Sequence, residues 1–248
     1  MHKRSILFFV TLFFLSSCKI SYGIHGIKVY KNISVDSHIT EDKAIEKVIL
    51  PYKRTMEKQM NLKISYTDQE LRKDGKDAVL GILLADFTYE WTKDWAEKNN
   101  LPLDAVLLNT GGIRSSIGKG DILLRHIYEI LPFENQLVIV KIIGKDLMAL
   151  FEYYTREHRK DPVSRLYIKI VGGQLEKALV NNAEVEPLRE YYVATSDYLA
   201  LGGDHMKFFL KGNIIYTGVR LRDVFIDVFK KNPVVKPPVN NDRIIFED

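Results

Sequence analysis

Residues 104–114 read DAVLLNTGGIR, and this stretch decides how the rest of the chain is read. Asp104 to Leu108 is a short apolar run behind one acid, the pattern of a buried strand. It leads directly into Asn109-Thr110-Gly111-Gly112-Ile113-Arg114. Paired glycines permit a positive φ and let backbone N–H groups come close to a ligand. An asparagine both donates and accepts, and an arginine presents a planar cationic fork suited to phosphate or hydroxyl oxygens. Taken alone, these six residues read more readily as a tight turn with a surface arginine.

Downstream, Leu124–Ile130 is a short amphipathic helix, followed by Leu131-Pro132-Phe133-Glu134-Asn135 and an apolar strand over Gln136–Ile143. Gly144 separates that strand from a helix over about 145–159. Strands follow near 164–171, 174–180 and 190–196, then the segment Asp197-Tyr198-Leu199-Ala200-Leu201-Gly202-Gly203-Asp204. A helix near 219–230, a tail with Pro233, Pro237 and Pro238, and a short strand Arg243–Phe246 complete the chain. Upstream, residues 41–60 carry apolar residues at helical spacing, with Thr40 as N-cap and Pro51 placed to kink or split the helix. A second helix covers about 76–98 and ends at Asn99-Asn100 before Pro102. Helices and strands mixed without strict alternation predict an α+β (mixed α/β) fold.

Among 248 residues, 46% are hydrophobic and 27% charged, the composition of a globular chain with a real core. The formal net charge is +4 without a long basic run, which argues against a nucleic-acid binder. One cysteine, Cys18, excludes a disulfide scaffold. Residues 1–17 read as a signal peptide: Lys3 and Arg4, then an apolar run from Ile6 to Leu15 that is too short for a membrane span. Leu15-Ser16-Ser17-Cys18 resembles a bacterial lipobox, which implies acylation at Cys18 and an exported, membrane-anchored protein on the periplasmic or cell-surface side. Residues 18–40 are then an extended lead-in with Val29, Ile33 and Val35, and 41–248 the folded domain.

In the segment 197–204, an aromatic ring, a flexible glycine pair and a carboxylate suit a planar heterocycle on a sugar. Pro132 stiffens the turn before Phe133 and is placed to hold that ring outward, although an isolated phenylalanine is more often core. Together the three motifs are far more specific than any one of them. In order and spacing they resemble the C-terminal, substrate-binding domain of the 5′-nucleotidase family, over about residues 35–230. The resemblance rests on Asn-x-Gly-Gly-Ile-Arg at 109–114, Leu-Pro-Phe-x-Asn at 131–135, the Gly144 turn, and aromatic-Leu-Ala-x-Gly-Gly-Asp at 198–204. It implies that Phe133 and Tyr198 sandwich a nucleobase and that Asp204 binds ribose hydroxyls. It further implies that Asn109 contacts base or sugar and Arg114 the phosphate side, with Asn135 a weaker base contact and Gly111, Gly112 and Gly203 shaping the loops. The chain departs from the family pattern after the last motif, where glycine and an aromatic are usual and His205 and Met206 stand here. Phosphate-facing arginines of the family have only Arg72 or Lys76 as loose counterparts.

Full-length members of that family carry an N-terminal metallophosphatase domain with two metal ions. Asp36-Ser37-His38 matches one of its ligand motifs by eye, but the companion motifs do not follow. Neither a Gly-x-Ser-x-Gly elbow nor a Walker loop is present. The expectation is a nucleotide- or nucleoside-recognition half with no catalytic or metal-binding residues and no cofactor of its own. A separate metallophosphatase subunit would then supply divalent metals and hydrolysis. A nucleotide- or nucleoside-binding lipoprotein without chemistry, and an interaction module that has lost its ligand, stay open beside it.

Overall fold

The structure, a computed structural model, describes residues 23, 26–36, 38–75, 78–238 and 242–247. Residues 1–17, read above as a signal peptide, lie outside the described residues, as do Cys18 and Lys76. Residues 1–48 and 49–248 form two compact units. In the first, residues 26–35 form no helix or strand and are exposed. The Asp36 carboxylate there accepts from the His38 amide at 2.9 Å, so this acid is used to hold a local turn.

Helix α1 (Lys43–Met60) is capped by Asp42, not Thr40. Asp42 Oδ1 accepts from the amides of Ala44 and Ile45 at 2.8 and 3.3 Å, meeting two of the orphan donors of the first turn. Pro51 sits inside the helix without splitting it. Its missing N–H removes one rung of the ladder, and Thr55 Oγ1 donates to the Pro51 carbonyl at 3.0 Å.

The second unit is built on a five-stranded sheet in the order β10-β4-β9-β2-β5. Its strands are β2 (Ala105–Leu107), β4 (Gln136–Ile143), β5 (Val163–Ser164), β9 (Glu190–Ser196) and β10 (Asn213–Arg220). Strand β9 runs parallel to β2 and antiparallel to β4. Two smaller sheets flank it. One pairs β1 (Lys63–Thr67) with β3 (Gly120–Leu123), and the other orders β11-β6-β7-β8 from β6 (Leu166–Val171), β7 (Gln174–Val180), β8 (Ala183–Glu184) and β11 (Ile244–Glu247).

Alternate residues of the central sheet feed two separate cores. Val106, Leu137, Ile139 and Ala194 join a cluster with α2 (Leu80–Lys98), α3 (Leu124–Ile130) and α6 (Leu221–Lys231). Ala105, Leu107, Val138, Val140 and Val193 join another with α4 (Gly144–Glu157), the one-turn helix α5 (Asp197–Ala200), β6 and β7. A sheet covered on both faces needs apolar residues at both parities, which is why Ala105–Leu108 reads as an unbroken apolar run. Phe87 of α2 meets Phe229 of α6 edge-to-face, with centroids 5.4 Å apart at 88°, a pairing that adds ~0.5–1.5 kcal/mol beyond area burial.

Several boundaries differ from the sequence reading. The helix expected from 76 begins at Leu80, and the one expected to 159 ends at Glu157, where His158 takes a left-handed conformation at φ 48°. The strand expected over 164–171 is interrupted at Arg165, φ 63°. The helix expected from 219 begins at Leu221, because 213–220 is strand β10. The architecture is the expected mixture of helix and sheet.

Candidate ligand-binding site

The topology brings the three motifs together. Asn109 follows the C-terminal end of β2, and Asp197-Tyr198 follows that of its parallel neighbour β9. Asn135 precedes the N-terminal end of β4, which is antiparallel to β9, with Leu137 opposite Ser196. All three segments therefore meet at one end of three adjacent strands, beyond the C-terminal ends of β2 and β9, the kind of place where open sheets bind ligands.

A cavity of about 380 Å³ opens there, lined by Asn109, Gly111, Gly112, Arg114, Phe133, Asn135, Tyr198 and Asp204. That volume lies in the range of small-ligand pockets, ~300–1,000 Å³. Of the nine positions singled out in the sequence, only Gly203 is outside the lining. It stands behind Tyr198, where an added Cβ would lie 2.5 Å from the ring. Gly112 similarly leaves room for Asn109, whose Oδ1 would be 2.9 Å from an added Cβ. Neither Gly111 nor Gly112 takes the positive φ that glycine permits. Thr110–Gly112 forms a single 3₁₀ turn, and at Gly112 the requirement is space, not backbone handedness.

Phe133 is 48% exposed and Tyr198 45% exposed, so both large rings present a face to solvent, against the usual fate of a phenylalanine. The Phe133 turn is held from below by Arg222, a buried guanidinium at the start of α6. It donates to the carbonyls of Leu131, Pro132 and Phe133 at 2.8, 3.1 and 2.9 Å and to Glu134 Oε1 at 2.8 Å. It also lies 4.5 Å from the centroid of the Tyr128 ring. Five donors in a rigid fork suit such a cluster of acceptors.

Tyr198 is held differently. Its hydroxyl donates to Asp204 Oδ1 at 2.8 Å and accepts from the Asp204 amide at 3.2 Å. Asp204 Oδ2 accepts from Asn109 Nδ2 at 3.0 Å and from Arg159 Nη2 at 3.1 Å. Burial pushes the Asp204 carboxyl toward the neutral form, but the bonds from Tyr198, Asn109 and Arg159 outweigh it and hold the group below its ordinary value. The same Arg159 nitrogen reaches Asp161 at 3.1 Å. Asp161 in turn accepts from the Thr110 amide and hydroxyl at 3.0 and 3.2 Å. One chain of charge-assisted bonds thus ties the 109–112 loop to the 202–204 loop. Asp204 and His205 both take left-handed backbone, φ 49° and 63°. His205 is therefore strained where a glycine would not be, and Met206 is fully buried in the core beneath.

Arg159, Asp161 and Arg222 were not legible as site residues. The two arginines and the acid lie in segments without a motif, and only the tertiary fold aims them here. Arg114 lines the cavity with Nη1 on the Gly111 carbonyl at 3.1 Å. Arg72 does not line it; its carbonyl accepts from Leu80 instead. A larger depression of about 520 Å³ lies elsewhere, among Asp86, Tyr89, Arg165, Asn181 and Arg243. Its charged groups are largely spent on each other, with Arg243 bidentate on Asp86 at 2.7 and 2.6 Å and Ser164 on the same carboxylate at 2.6 Å. Among the described residues, no group of three or more His, Cys, Asp or Glu is placed to hold a metal ion, and no helix is long and apolar enough to cross a membrane.

A mixed sheet with an open cavity at one end, bearing two exposed rings and an acid, defines an α+β module. The chain belongs to the family of 5′-nucleotidase C-terminal domains, whose family model matches residues 58–211. It is 24% identical over 235 residues to a 5′-nucleotidase of Vibrio vulnificus, covering 86% of this chain and 40% of that protein. It is 26% identical over 208 residues to the trifunctional nucleotide phosphoesterase protein YfkN of Bacillus subtilis, covering 73% of this chain and 13% of that one. Among solved structures, a 5′-nucleotidase precursor from Thermus thermophilus matches with a TM-score of 0.68 and 25% identity over 84% of this chain and 44% of its own. The chain thus spans less than half the length of these relatives.

Proposed function

We propose that this chain is the nucleotide- or nucleoside-recognition half of a 5′-nucleotidase-type phosphohydrolase, with metal-dependent hydrolysis supplied by a separate metallophosphatase chain. The carrying observation is that three motifs far apart in sequence line one cavity with two exposed rings and an ionised aspartate. A nucleobase fits between Phe133 and Tyr198, because every base offers a π-face to an aromatic ring. Asp204 accepts from sugar hydroxyls, Asn109 and Asn135 face the base or sugar, and Arg114 faces the phosphate. The divalent metals sit in the partner, where two ions activate water and neutralise the phosphoryl oxygens. Acylation at Cys18 holds the recognition half at a membrane, on the periplasmic or cell-surface side.

The test uses the purified chain with AMP and adenosine, by calorimetry and by phosphate release in the presence of divalent metal. Binding without turnover is expected, with turnover appearing when the metallophosphatase is added. Phosphate release by the chain alone overturns the division of labour, and absence of binding overturns the recognition role. Phe133→Ala and Tyr198→Ala are each expected to weaken binding by ~1–3 kcal/mol.

A further inference from the structure

The carboxylate at the centre of the cavity is nearly saturated by the protein's own donors. A carboxylate offers about four lone-pair sites, two on each oxygen. Both sites of Asp204 Oδ2 are taken, by Asn109 Nδ2 and Arg159 Nη2 at 3.0 and 3.1 Å. One site of Oδ1 is taken by the Tyr198 hydroxyl at 2.8 Å. That hydroxyl is itself closed into a ring, because it accepts the Asp204 amide at 3.2 Å. Arg159 Nη2 also donates to Asp161, so the guanidinium cannot turn away without breaking a second ion pair. Asp204 is further pinned through its carbonyl, which accepts from Tyr153 at 3.0 Å. One acceptor position on Oδ1 is left for a ligand.

A ribose presents two neighbouring hydroxyls, and a carboxylate grips such a cis-diol best when each of its oxygens accepts one of them. Here the second hydroxyl would have to displace Asn109, Arg159 or Tyr198. A phenylalanine at 198 would leave Oδ1 with two open positions, so the tyrosine hydroxyl is the specificity-setting group.

We propose that Tyr198, by occupying Asp204 Oδ1, makes this site bind a nucleotide through a single sugar hydroxyl, so that monodeoxyribonucleotides bind as well as ribonucleotides. The inference rests on the nucleotide-binding reading above and adds the sugar class to it. Loss of either hydroxyl is tolerated because the other takes the one open position, and loss of both is not. Tyr198→Phe opens a second position while keeping the ring, so the ribose diol regains an advantage over the monodeoxy sugars.

The experiment is calorimetric titration of the full chain with AMP, 2′-deoxy-AMP, 3′-deoxy-AMP and 2′,3′-dideoxy-AMP, for the natural protein and for Tyr198→Phe. In the natural protein the first three are expected within about twofold of each other, and the dideoxy ligand about tenfold or more weaker, the worth of one hydrogen bond to a charged acceptor. In Tyr198→Phe, AMP is expected to gain about fivefold over 2′-deoxy-AMP. Tenfold or greater preference for AMP over 2′-deoxy-AMP in the natural protein overturns the proposal without need of the variant. An AMP to 2′-deoxy-AMP ratio unmoved by Tyr198→Phe overturns it as well. If none of the four ligands binds, the nucleotide-binding reading itself falls, which is a different result from binding with ribose preference.

Discussion

The two rings that face the cavity are almost equally exposed, 48% for Phe133 and 45% for Tyr198, yet they are held by opposite means. Phe133 has no polar group, so its position is set through the backbone. A rigid Leu131-Pro132 lead-in and one buried arginine, Arg222, fix three consecutive carbonyls. Tyr198 is positioned through its own side chain, by a hydroxyl that both gives to and takes from Asp204. One wall is a backbone wall on a single cation; the other belongs to a branching network of Asn109, Arg159, Asp161 and Asp204. Three carbonyls on one guanidinium lose their donor together, whereas a branched network loses its bonds by degrees.

The sharpest test of that contrast is Arg222→Ala. Removing the guanidinium strands three carbonyls and empties a buried volume against Tyr128. Glu134 is mostly exposed, so no buried charge is left unpaired; buried acceptors left without a donor cost ~1–3 kcal/mol each, and urea unfolding is expected to show a drop of roughly 2–4 kcal/mol. A drop under ~1 kcal/mol in the same titration would mean that the Phe133 turn holds itself. Asp204→Asn probes the other wall and should be smaller in stability, because Arg159 keeps Asp161 and Tyr198 can still bond an amide oxygen. Its expected effect is on ligand affinity, about 1.5–3 kcal/mol for a bond from a sugar hydroxyl to a charged acceptor. Equal AMP affinity for Asp204→Asn and the natural protein would remove Asp204 from the site.

The strained end of the network supplies a prediction of opposite sign. His205 holds φ 63° in a position that a glycine adopts without steric cost. His205→Gly relieves ~1–2 kcal/mol of left-handed strain and gives back part of it through the greater entropy of the unfolded chain. A net gain of roughly 0.5–1 kcal/mol in unfolding free energy is expected. A loss would show that the imidazole makes contacts worth more than its backbone strain.

The central sheet could be read from residues because its strands have a local signature, and the site motifs because their order and spacing together resemble a family pattern that none of them carries alone. Ala105–Leu108 and Gln136–Ile143 are apolar at both parities, since both faces of the sheet are covered. Asn109, Phe133, Tyr198 and Asp204 stand in motifs of fixed order. Strand β10 escapes a sequence reading because Asn213–Arg220 alternates half-buried with exposed positions at a sheet edge and contains Thr217 and Gly218. The break at Arg165 escapes it because nothing in its neighbours marks a left-handed arginine. Arg159, Asp161 and Arg222 carry no signature at all: an arginine supports a distant loop only after the chain has folded, and sequence spacing does not encode that reach.

The last contrast between the walls is in their response to acid. The Phe133 wall is continuous with α3, whose first turn is closed by His126: Nδ1 accepts from the Leu123 amide at 3.1 Å. Burial lowers the His126 pKa below its ordinary 6.5, with Glu129 pulling the other way and Arg125 adding to the depression. The unfolded chain therefore takes up a proton near pH 6.5 that the folded chain refuses, so stability is full above that pH and declines as pH falls toward the folded value. The Asp204 carboxyl is also depressed, from an ordinary 3.8, so its contribution persists through the whole window in which His126 titrates and is lost only as pH falls through its own lower value. Two steps on acidification are thus expected, a small one from the Phe133 side near and below pH 6.5 and a later one from the Tyr198 side below the ordinary carboxylate range. His126→Gln keeps an acceptor for the Leu123 amide, as a glutamine does in a capping box, but cannot titrate. It is expected to abolish the first step in thermal melts between about pH 7 and 5 and to leave the second untouched. If the first step survives the substitution, the acid sensitivity lies outside α3 and the two walls do not differ in the way their chemistry predicts.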